Sequence, residues 1–346
     1  MANPTIKEIS KLAKVSVSTV SRVINNLPDV NKETRQKVLD VINELGYFPN
    51  ANAKNLKQIS SNIICIIVKG MHNQFFGQII EKIQSEIIKT KYISLVHYID
   101  ENENEVDTAF RLISERKAVG VIFLGGSPSL KTDRLEEMNV PCVFSTMSAE
   151  GLNLNNVSSV CIDDRDAAKT AVDYLFEMGH QRIAILGGQL LDRDSIYKRY
   201  MGALQSYREH GVEFDEALFI QSKFTYEDAY AAINNSLQFG NIKYSAIFAM
   251  SDVMAIGAAK AIFDNGLTVP GDISIIGFDG IEATKYYHPT LATVKQPSCE
   301  IAMTSVELLI QNIEYDMVSQ NIILGTELIK GHSIHCLLAD KLLNKK

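Results

Sequence analysis

Two sets of residues in this 346-residue chain have the types and spacing for molecular recognition. The first lies near the N-terminus. Val17, Ser18, Ser21 and Arg22 occupy the outward positions of a short helical pattern whose inward positions are Val20 and Val23. A helix entering the major groove of DNA needs small or polar residues at its leading end, where it approaches base edges. Arg22 can contact guanine in bidentate fashion, and an exposed Val17 can meet a thymine methyl. Thr5, Ser16, Thr19 and Asn25 are placed for phosphate oxygens, contacts that fix register without reading sequence. The second set is dispersed. Ser195 and Arg199 open a helical stretch, while Asp279 ends an apolar run. Gln74, Phe75, Thr146, Phe224 and Ser251 follow other extended runs, as do Asn73, Ile162, Asp163, Asp252 and Phe278. A guanidinium and a carboxylate converging in a cleft bind neighbouring hydroxyls from opposite sides, and an aromatic ring covers the apolar face of a sugar.

The elements that must position these residues follow from periodicity and caps. Thr5-x-x-Glu8 is a capping box, followed by the apolar face Ile6, Ile9, Leu12 and Ala13. Lys14-Val15-Ser16 makes a tight connection, and Ser16 caps a second helix reaching about Asn25. Asn31 caps a third over 32–45, with Val38, Val41, Ile42 and Leu45 on one face and Gly46 as its stop. From residue 62, β-branched runs at 63–68, 93–98, 119–125, 141–145, 182–188, 245–250 and 272–278 alternate with helical patterns near 76–90, 103–117, 164–178, 197–210, 226–238, 252–265 and 298–313. Such alternation predicts an α/β fold with doubly wound parallel sheets. The number of units exceeds one ordinary sheet, so two lobes are expected. Ligands in such folds bind at the carboxyl ends of the strands, where the second residue set falls.

Charge is unevenly distributed. Residues 1–60 carry nine Lys/Arg against five Asp/Glu, a balance of +4, so the remainder of this −7 chain carries −11. A small basic module on an acidic body fits a protein of which only one end meets phosphate. Five scattered cysteines, an N-terminus without a signal-peptide pattern and the lack of a long apolar run point to a cytoplasmic protein without disulfides, zinc or a membrane span. No phosphate-binding glycine loop, nucleophile elbow or metal spacing marks an enzyme, and no cofactor is expected.

The segments 5–26 (TIKEISKLAKVSVSTVSRVINN) and 30–56 resemble the DNA-reading head of the lactose-repressor/galactose-repressor family. The resemblance continues through GHQRIAILGG (179–188), YKRYMGAL (197–204), the long segment 250–280 and PTLATVKQP (289–297), in the family's order. It implies a homodimeric repressor of carbohydrate-utilisation genes on pseudo-palindromic double-stranded operator DNA. The implied domains are a helix-turn-helix head at 1–49, a hinge at 50–61 and a periplasmic-binding-protein-like core at 62–340. Lobe one would be 62–161 with 292–321, and lobe two 162–291 with 322–340. An effector, a sugar or sugar derivative, would bind between them.

The resemblance assigns operator choice to positions 17, 18 and 22, and effector contact to Ser195, Arg199, Ser251 and Asp279. It implies a hinge helix through which Asn50, Ala53, Lys54, Leu56 and Lys57 meet DNA, with Leu56 as a minor-groove wedge and Lys54 and Lys57 on phosphates. Gln74, Ser251 and Thr146 depart from the proline, asparagine and aspartate frequent at those places, which weakens transfer of a particular sugar. The family also includes a catabolite control protein driven by a phosphorylated carrier protein. That alternative needs a basic patch on the helices at 76–90 and 298–313; a purine-like co-repressor is a further one. The segment LLADKLLNKK lacks a heptad extension, so no C-terminal tetramer bundle is expected.

Overall fold

The structure, a computed structural model, describes residues 5–24, 29–45, 62–70, 73–100, 103–126, 132–190, 194–239, 244–315 and 317–338. Met1–Ser61 and Asn62–Lys346 are separate units. In the first, Thr5 starts α1 (Ile6–Leu12) with the expected capping box: its Oγ1 accepts from Glu8 N, and Glu8 Oε2 accepts from Thr5 N at 2.6 Å. Lys14 turns the chain in the left-handed region (φ 51°) into α2 (Val17–Ile24). Asn31 Oδ1 accepts from Thr34 N at 2.8 Å and caps α3 (Lys32–Leu45). Ile9, Ala13, Val20, Val23 and Val38 meet in one small core, the stripe set by helical periodicity.

The second unit begins with β1 (Ile63–Lys69), α4 (Gln74–Ile87), β2 (Ile93–Ile99), α5 (Glu105–Arg116), β3 (Gly120–Leu124), α6 (Thr132–Glu136), β4 (Cys142–Ser145) and β5 (Val157–Ile162). It continues through α7 (Asp164–Glu177), β6 (Ile183–Gly187), α8 (Ser195–Glu209), β7 (Phe219–Gln221), α9 (Tyr226–Phe239), β8 (Ala246–Ala249), α10 (Asp252–Asp264), β9 (Ser274–Asp279), α11 (Ala283–Tyr286) and β10 (Ala292–Lys295). α12 (Ser298–Tyr315), β11 (Asn321–Leu324) and β12 (Glu327–Ile329) follow. The strands form two sheets, ordered β11-β5-β4-β3-β1-β2 and β12-β10-β9-β8-β6-β7. Among the described residues, all pairings are parallel except β10–β12, which is antiparallel.

Strand alternation divides each lobe's core into two layers. Ile64, Ile66 and Val68 pack with α4 and α12, while Cys65 and Ile67 pack with α5 on the opposite face. In lobe two, Ile183 and Ile185 meet α7 and α8; Ala184 and Leu186 meet α9 and α10. Val253 and Ile281, both from lobe two, join the lobe-one cluster and tie the lobes together.

Three expectations are corrected. The sequence pattern does not reveal β5, β7, β10, β11 and β12 as strands. β5 reads Val-Ser-Ser-Val-Cys-Ile, and its serines hid it. Both are fully buried but satisfied: Ser158 Oγ accepts from Asn312 Nδ2 and Gln320 N, and Ser159 Oγ donates to Asn321 Oδ1 at 2.6 Å. The other missed strands are three or four residues long, too short for a periodicity. The crossovers are also displaced. β10, expected in lobe one, pairs with β9 in the second sheet, and the whole of β11 pairs with β5 in the first. Finally, β12 makes the second sheet mixed rather than wholly parallel.

Candidate DNA-reading surface and effector site

Along α2, burial of Val20 and Val23 turns the intervening side chains outward. Val17 is 41% exposed, Ser18 and Arg22 are exposed, and Ser21 is half-buried. Ser16 is the hub of the helix start. Its Oγ accepts from Thr19 N at 3.1 Å and lies 2.7 Å from Ser18 Oγ and 2.8 Å from Thr19 Oγ1. Arg22 Nη1 lies 3.0 Å from Asp29 Oδ2, an ion pair. Thr5 and Ser16 therefore have capping roles in the head itself, beside any contact with phosphate. Asn25, Asn50, Ala53, Lys54, Leu56 and Lys57 lie outside the described residues.

In lobe two, the carboxyl ends of β8 and β9 converge on Arg199. The residue stands in the second turn of α8, whose start is capped by Asp194 Oδ1 accepting from Tyr197 N at 2.6 Å. Its guanidinium is buried. Nε donates to Asp164 Oδ1 at 2.8 Å, and Nη1 donates to the Met250 carbonyl at 2.7 Å and lies 3.8 Å from Asp279 Oδ1. Its carbon sits 3.8 Å from the Phe278 ring centroid, a cation–π contact. Gln296 Nε2 donates to Asp279 Oδ1 at 2.7 Å. Asp164 and Asp279 are buried as well, so two carboxylates face one cation, and Asp252 is buried beside Asp279.

Burial dominates the protonation of this cluster. It pushes Asp279 up to about 7, opposed by Arg199 and the Gln296 hydrogen bond. Burial also raises Asp164 despite Arg199, and raises Asp252, which feels the Asp279 charge in addition. Asp252 Oδ2 accepts from Gly280 N at 2.7 Å and Ile281 N at 2.9 Å, anchoring the loop that carries Ile281 to lobe one. Glycine 277 leaves room for this carboxylate: a Cβ there would fall 2.2 Å from Asp252 Oδ1. Asp279 itself lies at φ 109°, a region L-residues rarely occupy.

The structure thus brings together Arg199 and Asp279 and adds Asp164, Phe278, the Met250 carbonyl and Gln296. Asp164 was missed because β5, the strand before it, was missed. Gln296 follows β10, also unpredicted. The remaining candidates take other places. Ser195 is half-buried at the start of α8. Ser251 caps α10, its Oγ accepting from Met254 N at 3.2 Å. Thr146 turns the chain after β4 at φ 78° and donates its N–H to the Val160 carbonyl. Phe224 fills the space beside Gly188, where a Cβ would lie 2.7 Å from its ring.

Phe75 is corrected: it is 2% exposed in the lobe-one core, and Phe76 is the ring packed at Gly125. Asn73 Oδ1 accepts from Phe75 N at 3.0 Å, which sets the turn of α4 that sends Phe75 inward. Gln74 instead lies near Tyr226 of lobe two, whose hydroxyl is raised by burial. On the α4–α12 face, Lys82 and Lys89 pair with Glu86, and Lys91 with Glu314. These lysines do not form the open basic patch that a phosphorylated carrier protein requires. Among the described residues, no helix is long and apolar enough to cross a membrane.

Comparisons with known proteins agree with this layout. Residues 5–50 match the family described as bacterial regulatory proteins, lacI family, and 172–334 match the periplasmic binding protein-like domain. The chain is 40% identical over 333 residues to the HTH-type transcriptional regulator MalR of Clostridium butyricum, covering 95% of this chain and 98% of that protein. The Lac repressor dimer bound to operator and the anti-inducer ONPF superposes with a TM-score of 0.76 at 26% identity, covering 96% of this chain and 100% of that one. The complex of the transcriptional regulator CelR with cellobiose gives a TM-score of 0.71 at 26% identity, covering 95% and 99%.

Proposed function

Since the chain belongs to the LacI family of bacterial regulatory proteins, and is a transcription regulator rather than an enzyme, we propose that it is a homodimeric repressor of sugar-utilisation genes whose operator affinity is set by a sugar held at Arg199 and Asp279. The head supplies one reading helix per half-site, so two copies suit a pseudo-palindromic duplex. The hinge residues Asn50, Ala53, Lys54, Leu56 and Lys57 belong to the same reading through the family resemblance. The CelR–cellobiose complex supports a saccharide as the ligand class.

The observation that carries the reading is the buried Arg199–Asp164–Asp279 cluster on the Phe278 ring. It offers donors and acceptors in one place, the chemistry that recognises sugar hydroxyls, with the Phe278 ring backing the guanidinium. A sugar bound there also has a physical route to the lobe seam. Asp279 is bonded in sequence to Gly280 and Ile281, and Ile281 packs in the lobe-one core. A change at Asp279 then biases lobe closure, the two-state element that allostery requires.

The test is calorimetric titration of the full chain with maltose, cellobiose, sucrose, glucose and ribose, followed by operator binding with and without the sugar that binds. One sugar should bind and shift operator affinity. Binding unaffected by substitution of Asp279 and Arg199 would place the sugar elsewhere.

A further inference from the structure

Arg22 and Asp29 form an ion pair on the head, with Nη1 3.0 Å from Oδ2 and side chains 56% and 49% exposed. An exposed pair of this kind adds little to folding. Both ends are nevertheless held in place by the backbone. Arg22 lies on α2 between the buried Val20 and Val23 side of the helix and its outer face. Asp29 precedes Val30, which packs on the head core, and Asn31, which caps α3. Two anchored segments thus hold one carboxylate against one guanidinium on the surface where α2 is exposed.

We infer that Asp29 is a positioning residue for specificity: it fixes the Arg22 guanidinium for one base and weakens its attraction for phosphate in general. This rests on the reading of α2 as the DNA-reading helix. A guanidinium has five N–H donors in a rigid fork. Asp29 engages one Nη1 donor and leaves the others to a base edge, so the direction of the fork is set before DNA arrives. A free arginine, by contrast, swings between base edges and phosphates. A carboxylate at this distance also offsets the cation in the sequence-independent, salt-sensitive part of binding. Both effects raise the ratio of specific to nonspecific affinity, the quantity on which operator search depends.

The test uses the full chain and a duplex selected by the wild type from a randomised pool. Affinity is measured for that duplex, for each single base-pair change in it, and for random duplex, at two salt concentrations. Arg22→Ala should abolish discrimination at one base pair per half-site. Asp29→Asn, which keeps the side-chain shape, should reduce discrimination at that same base pair by roughly fivefold or more. It should also tighten binding to random duplex, with a steeper salt dependence, and leave the other base-pair penalties unchanged. In the Arg22→Ala background it should change no base-pair penalty. If Asp29→Asn shifts every duplex by one common factor while Arg22→Ala still collapses its position, Asp29 acts only as a diffuse charge and the proposal is overturned alone. If Arg22→Ala leaves every base-pair penalty intact, the underlying reading of α2 fails and the proposal falls with it.

Discussion

A buried guanidinium that already donates to Asp164 and to the Met250 carbonyl has a structural task before any ligand arrives. Arg199→Ala would strand Asp164 and Asp279 without their cation. The core should lose roughly 3–5 kcal/mol, the usual cost of breaking a buried pair from one side. Urea denaturation measures this, and an unchanged midpoint would contradict it. Arg199→Lys separates the two roles. It keeps the charge and loses the planar fork and most of the contact with Phe278, so sugar binding should weaken by roughly 1.5–3 kcal/mol while the lobe stays folded. Asp279 adds a pH signature. Its carboxyl is raised from the ordinary range to about 7, so the folded core binds a proton that the unfolded chain releases. That contribution to stability is complete at acidic pH below the unfolded value and is lost as pH rises through about 7. A sugar hydroxyl donating to the ionised form should bind more tightly over the same interval, and Asp279→Asn should flatten both trends between pH 6 and 8. A titration in which wild type and Asp279→Asn show parallel pH profiles would remove Asp279 from the site.

Among the elements, α8 places Arg199 and is itself placed by a single glycine. A Cβ on Gly202 would fall 2.0 Å from the Arg165 carbonyl of α7, so the two helices touch backbone to backbone at that point. Gly202→Ala must push α8 away from α7. The expected cost is about 1–3 kcal/mol by overpacking, with weaker sugar binding because Arg199 sits one turn before the displaced contact. Unchanged stability and unchanged sugar affinity would show that the helices yield freely. In the head, Ser16 plays a comparable part for α2. Its hydroxyl accepts from Thr19 N, and Ser16→Ala should destabilise the head by about 1 kcal/mol, read from its own thermal transition.

For the whole molecule, the separation of a basic head from an acidic core has a measurable consequence. Operator affinity should fall steeply and linearly in log salt, because each phosphate contact releases a counterion. Sugar affinity should respond far less, since its charged partners are buried and neutralised within the lobe. A flat salt dependence of operator binding would exclude phosphate contacts as its main source. Lobe coupling belongs at this scale too. Val253 and Ile281 cross from lobe two into the lobe-one core. This apolar contact lies on the seam that any change in closure must break or remake.

Local chemistry determined much of this protein from its sequence. The capping box at Thr5, the caps at Ser16 and Asn31 and the inward stripe of Val20 and Val23 depend on neighbours within one or two helical turns, so they were legible without a fold. The long β-branched runs announced parallel strands for the same reason, buried in each case but the half-exposed edge strand β2, and Arg199 and Asp279 were legible from position at the ends of such elements together with family pattern. What only the tertiary structure decided involves partners distant in the chain. The serines of β5 are tolerable in a buried strand because Asn312, Gln320 and Asn321 satisfy them from more than 150 residues away. The same separation hid β5, and with it Asp164, the partner of Arg199. Phe75 and Phe76 are identical neighbours in sequence, and the Asn73 turn together with packing on Ile79, Ile83 and Gly125 decided which ring enters the core. Sequence spacing fixes what a residue can do within its own element, whereas burial, partner and charge state arise where elements from opposite ends of the chain are pressed together and water is excluded.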